Sequence, residues 1–157
     1  IINSLHIMRC AMQTNSTIIV PIDFLSHTDK VVAYALNMAK KLNATLHFLH
    51  VVEEVNIYGD YMGPTIKHFV PQMMELSQEK MDNLVTKNNT SETPCLGKVL
   101  NGDVVEGICA YAEKNNADMI IIGTHGRKGL EKMWLGSVAE RVVKNAPCPT
   151  LTYNPFK

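Results

Sequence analysis

The chain has 157 residues, 46% apolar and 19% charged, the size and balance of one soluble globular domain with a full core. Fifteen Lys and Arg meet fifteen Asp and Glu, so no net field draws in nucleic acid or an anionic membrane, and only Arg127-Lys128 offers a local basic patch. No apolar run approaches the roughly eighteen residues of a membrane span.

Residues 1–13 have no clear period and fit the rest poorly. Polar residues interrupt the apolar stretch and no cleavage site follows, which argues against a signal peptide. We expect a leader or cloning remnant there and a domain over 14–157. The run Thr17–Ile22 then reads as a buried strand. Ser26-His27-Thr28-Asp29 has the form of a capping box. The helix it opens carries Val32, Leu36, Ala39 and Asn43 on one face, widened by Ala35 and Leu42. A second strand follows at Ala44–Val52. The stretch from Glu53 to about Val70 holds Gly59, Gly63 and Pro64 and predicts a loop, a candidate lid, leading into a helix near Pro71. Met73, Met74, Leu76, Met81, Leu84 and Val85 form its apolar side, as core filler rather than a cofactor box.

Cys95–Leu100 is a weaker strand suited to a position near an edge. Asp103-Val104-Val105-Glu106 repeats the capping pattern before Ile108 and Ala112, and Ser137-Val138-Ala139-Glu140 repeats it before Val142. Strands at Met119–Gly123 and Thr150–Tyr153 complete the series. Strand, capped helix, strand, repeated, predicts an α/β fold of right-handed βαβ units on a parallel sheet. Such a sheet binds its ligand beyond the carboxyl ends of the strands, where strand order reverses.

The stretch that carries chemistry is Gly123-Thr124-His125-Gly126-Arg127-Lys128-Gly129, followed by Gly136-Ser137. Glycines at 123, 126 and 136 would let backbone N–H groups approach a ligand, and the helix start at Ser137 adds unpaired donors and a dipole end. Arg127 or Lys128 could add a charged contact. There is no Gly-Lys-Ser/Thr of a Walker loop, and the glycines come too late for a Rossmann fingerprint. On pattern alone, a phosphate seat and a tight loop with Ser137 as N-cap both remain open. Asp23 ends the first strand without a neighbouring acid, which disfavours a phosphoacceptor; capping the next turn is its other reading. His47 and His50 lie on opposite faces of a strand and form no metal pair. The cysteines Cys10, Cys95, Cys109 and Cys148 show no CxxC spacing, which predicts reduced thiols in a cytoplasmic protein, with Cys148 structural.

Gly123-x2-Gly126-x9-Gly136-Ser137 resembles the G-x2-G-x9-G-(S/T) pattern of the ATP-binding branch of the universal stress proteins. Ile18-Ile19-Val20-Pro21-Ile22-Asp23, Leu49-His50-Val51-Val52, Gly102-Asp103, Ala117 to Gly126 and Ala146-Pro147-Cys148-Pro149 are similar to that family too, so the likeness covers about Thr17 to Tyr153. The resemblance implies a five-stranded parallel sheet with helices on both faces, Rossmann-like and of the adenine nucleotide alpha hydrolase type. It implies that Asp23, with the Pro21-Ile22 backbone, lines the adenosine end and that Val51 holds adenine through its main chain. Ile122, Gly123, His125, Gly126, Arg127, Gly136, Ser137 and Val138 would surround ribose and phosphates. Ala139 stands where relatives often carry a hydroxyl, which would remove one phosphate contact.

The expected function is an ATP-binding regulatory or stress-response protein, with Mg²⁺ (or Mn²⁺) bound through the phosphates. The resemblance also implies a homodimer through the last strand, Pro149–Tyr153, without nucleic acid or membrane partners. The alternatives are a slow ATPase or phosphoryl- or nucleotidyl-transfer enzyme, for which only His125 is available as a catalytic group, and a protein-contact module without nucleotide.

Overall fold

The computed structural model describes residues 16–53, 65–124 and 135–156. The leader expected over 1–13 and the greater part of the expected lid lie outside the described residues. The strands are β1 (Ser16–Pro21), β2 (Ala44–Glu53), β3 (Cys95–Gly102), β4 (Met119–Gly123) and β5 (Thr150–Tyr153). The helices are α1 (Thr28–Leu42), α2 (Thr65–Asn88), α3 (Val104–Lys114) and α4 (Ser137–Asn145). All strand pairings are parallel, and the order is β3-β2-β1-β4-β5. The five-stranded fold is the expected one, and β3 does lie at an edge.

Alternation within the central strands divides the core into two layers. Ile18, Val20, Leu46, Phe48 and Ile121 pack with Val31, Val32, Ala35 and Ala39 of α1 and Met81 of α2. On the opposite face Ile19, Leu49, Val51, Ile120 and Ile122 pack with Val105, Ile108 and Ala112 of α3 and Ala139 and Val142 of α4. Each fully buried Ile, Leu or Phe contributes roughly 1.5–3 kcal/mol from removal of apolar surface. These two layers fix the helices over the two faces of the sheet.

Several local expectations need correction. The first helix begins at Thr28 rather than behind a Ser26 cap, and its boundary residue His27 makes no side-chain capping bond. Its apolar face stops earlier than expected: Leu42 is exposed and Asn43 leaves the helix in the left-handed region with φ 50°. Lys40 and Lys41 instead fill the last turn, where cations favour the dipole. Helix α2 is already formed at Thr65, so Pro71 lies inside it, not at its start. Proline there gives up one helical N–H bond, and the helix continues because Met81, with Met73, Met74, Leu84 and Val85 beside it, packs on the sheet. Leu76 is exposed, and Ser77 takes the buried position next to it.

Candidate functional site

Strand order reverses between β1 and β4: from β1 the chain first moves to β2 and β3, then returns to β4 on the other side. The carboxyl ends of β1 and β4 therefore flank the crevice where such sheets receive ligands. Pro21, Ile22 and Asp23 stand at one side of it, Gly123 and Thr124 at the other.

A missing N–H opens this crevice. Odd-numbered residues of β1 face β4, since the Thr17 carbonyl accepts from Asp118 N at 2.9 Å. The β1–β4 register runs only through Ile18↔Met119 and Ile19↔Ile120. The next donor on that side would be residue 21, and proline has none, so the ladder ends. Gly123 continues β4 past that point on the side facing β1. Its main chain looks into the crevice, while Thr124 N turns the other way to Tyr153 O at 2.9 Å.

The phosphate side is built at the start of α4. Gly136 N donates to the Thr124 carbonyl at 2.7 Å, which fastens the helix start to the end of β4. A Cβ at residue 136 would sit 2.8 Å from that carbonyl oxygen, so glycine is required by a backbone-to-backbone approach. Gly136 is the N-cap, without a side-chain capping bond, and Ser137 is the first helical residue. The expected Ser137 capping box is thus not formed. The first α4 amides, at Ser137, Val138 and Ala139, have no intrahelical acceptor and stand at the positive end of the helix dipole. Val138 and Ser137 are exposed, whereas Ala139 is buried.

Helix α3 starts differently. Asp103 Oδ1 accepts from Val105 N and Glu106 N, both at 2.9 Å. These bonds, the Glu106 amide first among them, hold the carboxyl below the usual aspartate range, with Arg141 of α4 adding to the effect at 3.6 Å. This cap was legible in the sequence.

At the adenosine side, Asp23 Oδ1 accepts from Leu25 N at 3.0 Å and from Thr28 Oγ1 at 3.1 Å. Asp23 therefore does shape the turn into α1, and its second oxygen makes no bond to another described residue. Ile22 is buried with its N–H given to Leu49 O at 2.8 Å and its carbonyl engaged by His50 Nδ1 at 2.7 Å. The Val51 side chain is buried against Gly107 of α3. Ile122 is buried and pairs with Thr152 of β5. His125, Gly126 and Arg127 lie outside the described residues.

Two residues here were not anticipated. Thr124, 5% exposed, joins β5 to α4 through its own peptide groups, and no local pattern signals that. His50 bonds the end of β1, and only the strand register reveals it. His47 does face away, as expected, with Nδ1 3.3 Å from Tyr111 Oη, and burial lowers its pKa. Burial also raises the thiols, Cys95 to about 11 and Cys109 and Cys148 in the same direction. They are free thiols without thiolate character.

The Universal stress protein family profile matches residues 14–154. The universal stress protein MJ0531 of Methanocaldococcus jannaschii is 32% identical over 151 residues, covering 96% of this chain and 88% of its own. Among solved structures, the hypothetical protein MJ0577 aligns with a TM-score of 0.74 at 25% identity, over 88% of this chain and 95% of that one. The universal stress protein of Archaeoglobus fulgidus in complex with dAMP aligns with a TM-score of 0.56 at 16% identity, over 87% and 96% respectively, a likeness of fold. A family match spanning nearly the whole chain, on the five-stranded sheet that this family's structures share, leads to one conclusion: the chain belongs to the universal stress protein family.

Proposed function

We propose that this protein binds ATP, with Mg²⁺ (or Mn²⁺) carried on the phosphates, and acts as a nucleotide-dependent regulatory protein of the stress response. The observation that carries the reading is the uncapped start of α4, held by Gly136 against Thr124 beside the gap that Pro21 opens. Main-chain donors at a helix start suit an anionic phosphate chain. In this reading Ser137 and Val138 contact phosphates, Gly123 contacts ribose or phosphate, Asp23 takes a ribose hydroxyl and the Val51 main chain reads adenine. His125, Gly126 and Arg127 would close the phosphate loop. The ion would arrive bound to the phosphates, which with water supply the hard oxygen ligands it takes. The dAMP complex of the Archaeoglobus fulgidus protein lends support from the same fold.

The reading includes a homodimer. Strand β5 ends the sheet, and pairing two copies through Pro149–Tyr153 would cover that edge. A cytoplasmic setting agrees with free thiols.

Calorimetric titration of nucleotide-stripped protein with ATP and Mg²⁺ is the test, with the product assayed for ADP and the sample's mass measured by sedimentation. Saturable binding without ADP release, at twice the chain mass, is the expected outcome. No binding rejects the nucleotide reading, and the mass of one chain rejects the dimer.

A further inference from the structure

We propose that His50 is a positioning residue that keeps the Val51 N–H available to a ligand by occupying the carbonyl with which that N–H would otherwise pair. The role rests on the nucleotide reading only for the identity of the ligand; the bond that defines it belongs to the protein alone.

In a parallel ladder the N–H and C=O of a residue face the same neighbouring strand, and alternate residues face alternate strands. Leu49 faces β1, because its carbonyl accepts from Ile22 N at 2.8 Å. Val51, two residues later, faces the same way. If the ladder continued one rung, Val51 N–H would donate to Ile22 O. The β1–β2 register instead stops at Pro21↔Leu49. At Ile22 O stands His50 Nδ1, 2.7 Å away. A carbonyl only accepts, so Nδ1 carries the proton in this bond. The imidazole therefore replaces a ladder donor with a side-chain donor from the adjacent residue. The carbonyl is satisfied, and the main chain of Val51 stays directed at the crevice without a β1 partner.

The ring is braced for this. Phe24 lies against it at 4.9 Å between centroids. Phe24 itself has φ 57°, a left-handed conformation that a bulky side chain adopts only where its surroundings hold it. Lys80 of α2 stands over the far ring, with Nζ 5.8 Å from the Phe24 centroid. Thus a strand residue, the β1–α1 turn and α2 together set one main-chain bond.

Losing the imidazole donor leaves Ile22 O buried and unsatisfied, a costly state. The nearest relief is a one-rung extension of the ladder to Val51 N. A ligand would then lose one main-chain donor.

Amide hydrogen exchange on the ligand-free protein tests this without any nucleotide. Val51 N–H is expected to exchange faster than its ladder-bonded neighbour Leu49 in the unmodified chain, and to become protected in His50→Leu. His50→Asn, whose amide can donate in place of Nδ1, is expected to restore fast exchange. Equal protection of Val51 and Leu49 in the unmodified chain overturns the proposal even if no variant folds. ATP titration of the folded variants adds the second reading. His50→Leu should weaken ATP about five- to tenfold, the size of one hydrogen bond, and leave inorganic tripolyphosphate unchanged, with His50→Asn near the unmodified value. An equal loss for both ligands overturns the assignment to Val51. If neither ligand binds the unmodified chain while the exchange pattern holds, the nucleotide reading fails and the role of His50 in shaping the strand end stands.

Discussion

Helices α3 and α4 follow β3 and β4 of one sheet and pack on the same face, yet their first turns are finished in opposite ways. At α3 a carboxylate, Asp103, closes the amides of Val105 and Glu106. At α4 glycine occupies the cap, with no side chain to fold back. The first arrangement satisfies the helix from within. The second leaves donors for something else, and it is the one that lies beside the switch point. A helix start becomes informative about ligands only when its capping is compared with that of its neighbours.

Gly136→Ala should break this contrast most severely. The new Cβ would press on the Thr124 carbonyl at 2.8 Å, and neither backbone can yield without moving α4 or the end of β4. We expect a stability loss of about 1–3 kcal/mol in urea unfolding and ATP binding at least about tenfold weaker, since the donors move with the helix. Unchanged binding would mean that phosphate does not rest on α4.

Ser137→Asp makes α4 resemble α3 by giving its first turn a carboxylate. The helix should gain about 0.3–1 kcal/mol or stay level, because an anion suits its N-terminus. Binding of ATP should fall roughly tenfold or more from repulsion of the triphosphate, with the loss shrinking in high salt. Opposite signs for stability and affinity distinguish this from simple damage to the fold.

Asp103→Ala is the smaller, converse change. It should lower Tm by about 2–4 °C through loss of the cap while leaving ATP affinity as it was. Because the Asp103 carboxyl is depressed in the folded chain, its contribution is complete above the ordinary aspartate value of about 3.9 and disappears as pH falls through the lower folded value. Asp103→Asn should therefore remove that part of the acid-dependent decline in Tm below about pH 4.

The sheet could be read from sequence because its central strands β1, β2 and β4 are nearly continuous apolar runs, largely buried on both faces. The Asp103 cap was legible for a related reason: one four-residue stretch, 103–106, suffices to make it. The matching patterns at Ser26 and Ser137 failed because groups outside the four-residue pattern decide where those helices begin. Asp23 takes the Thr28 hydroxyl and the Leu25 amide at one, and Thr124 O holds Gly136 at the other. Leu42 and Leu76 satisfied a helical period that tertiary contact did not use. Pro21 and Gly136 could be marked for the site from motif likeness, but their physical reasons are tertiary: a missing rung between β1 and β4, and a 2.8 Å approach of the α4 start to the end of β4. The bond from His50 to Ile22 O, and what it does to the next residue, follow only from register.

The position of β1 also sets a schedule. Its neighbour on one side, β2, follows within a few tens of residues, but contacts to β4 such as Thr17 with Asp118 span 101 residues. At about 5–20 residues per second of synthesis, the side of β1 that carries Ile19 waits roughly 5–20 seconds for its partner to be made. During that interval the nascent half-sheet β3-β2-β1 presents an apolar strand edge at what will become the middle of the molecule. The same edge that later opens into the crevice is, for the length of translation, the surface most in need of protection from other chains.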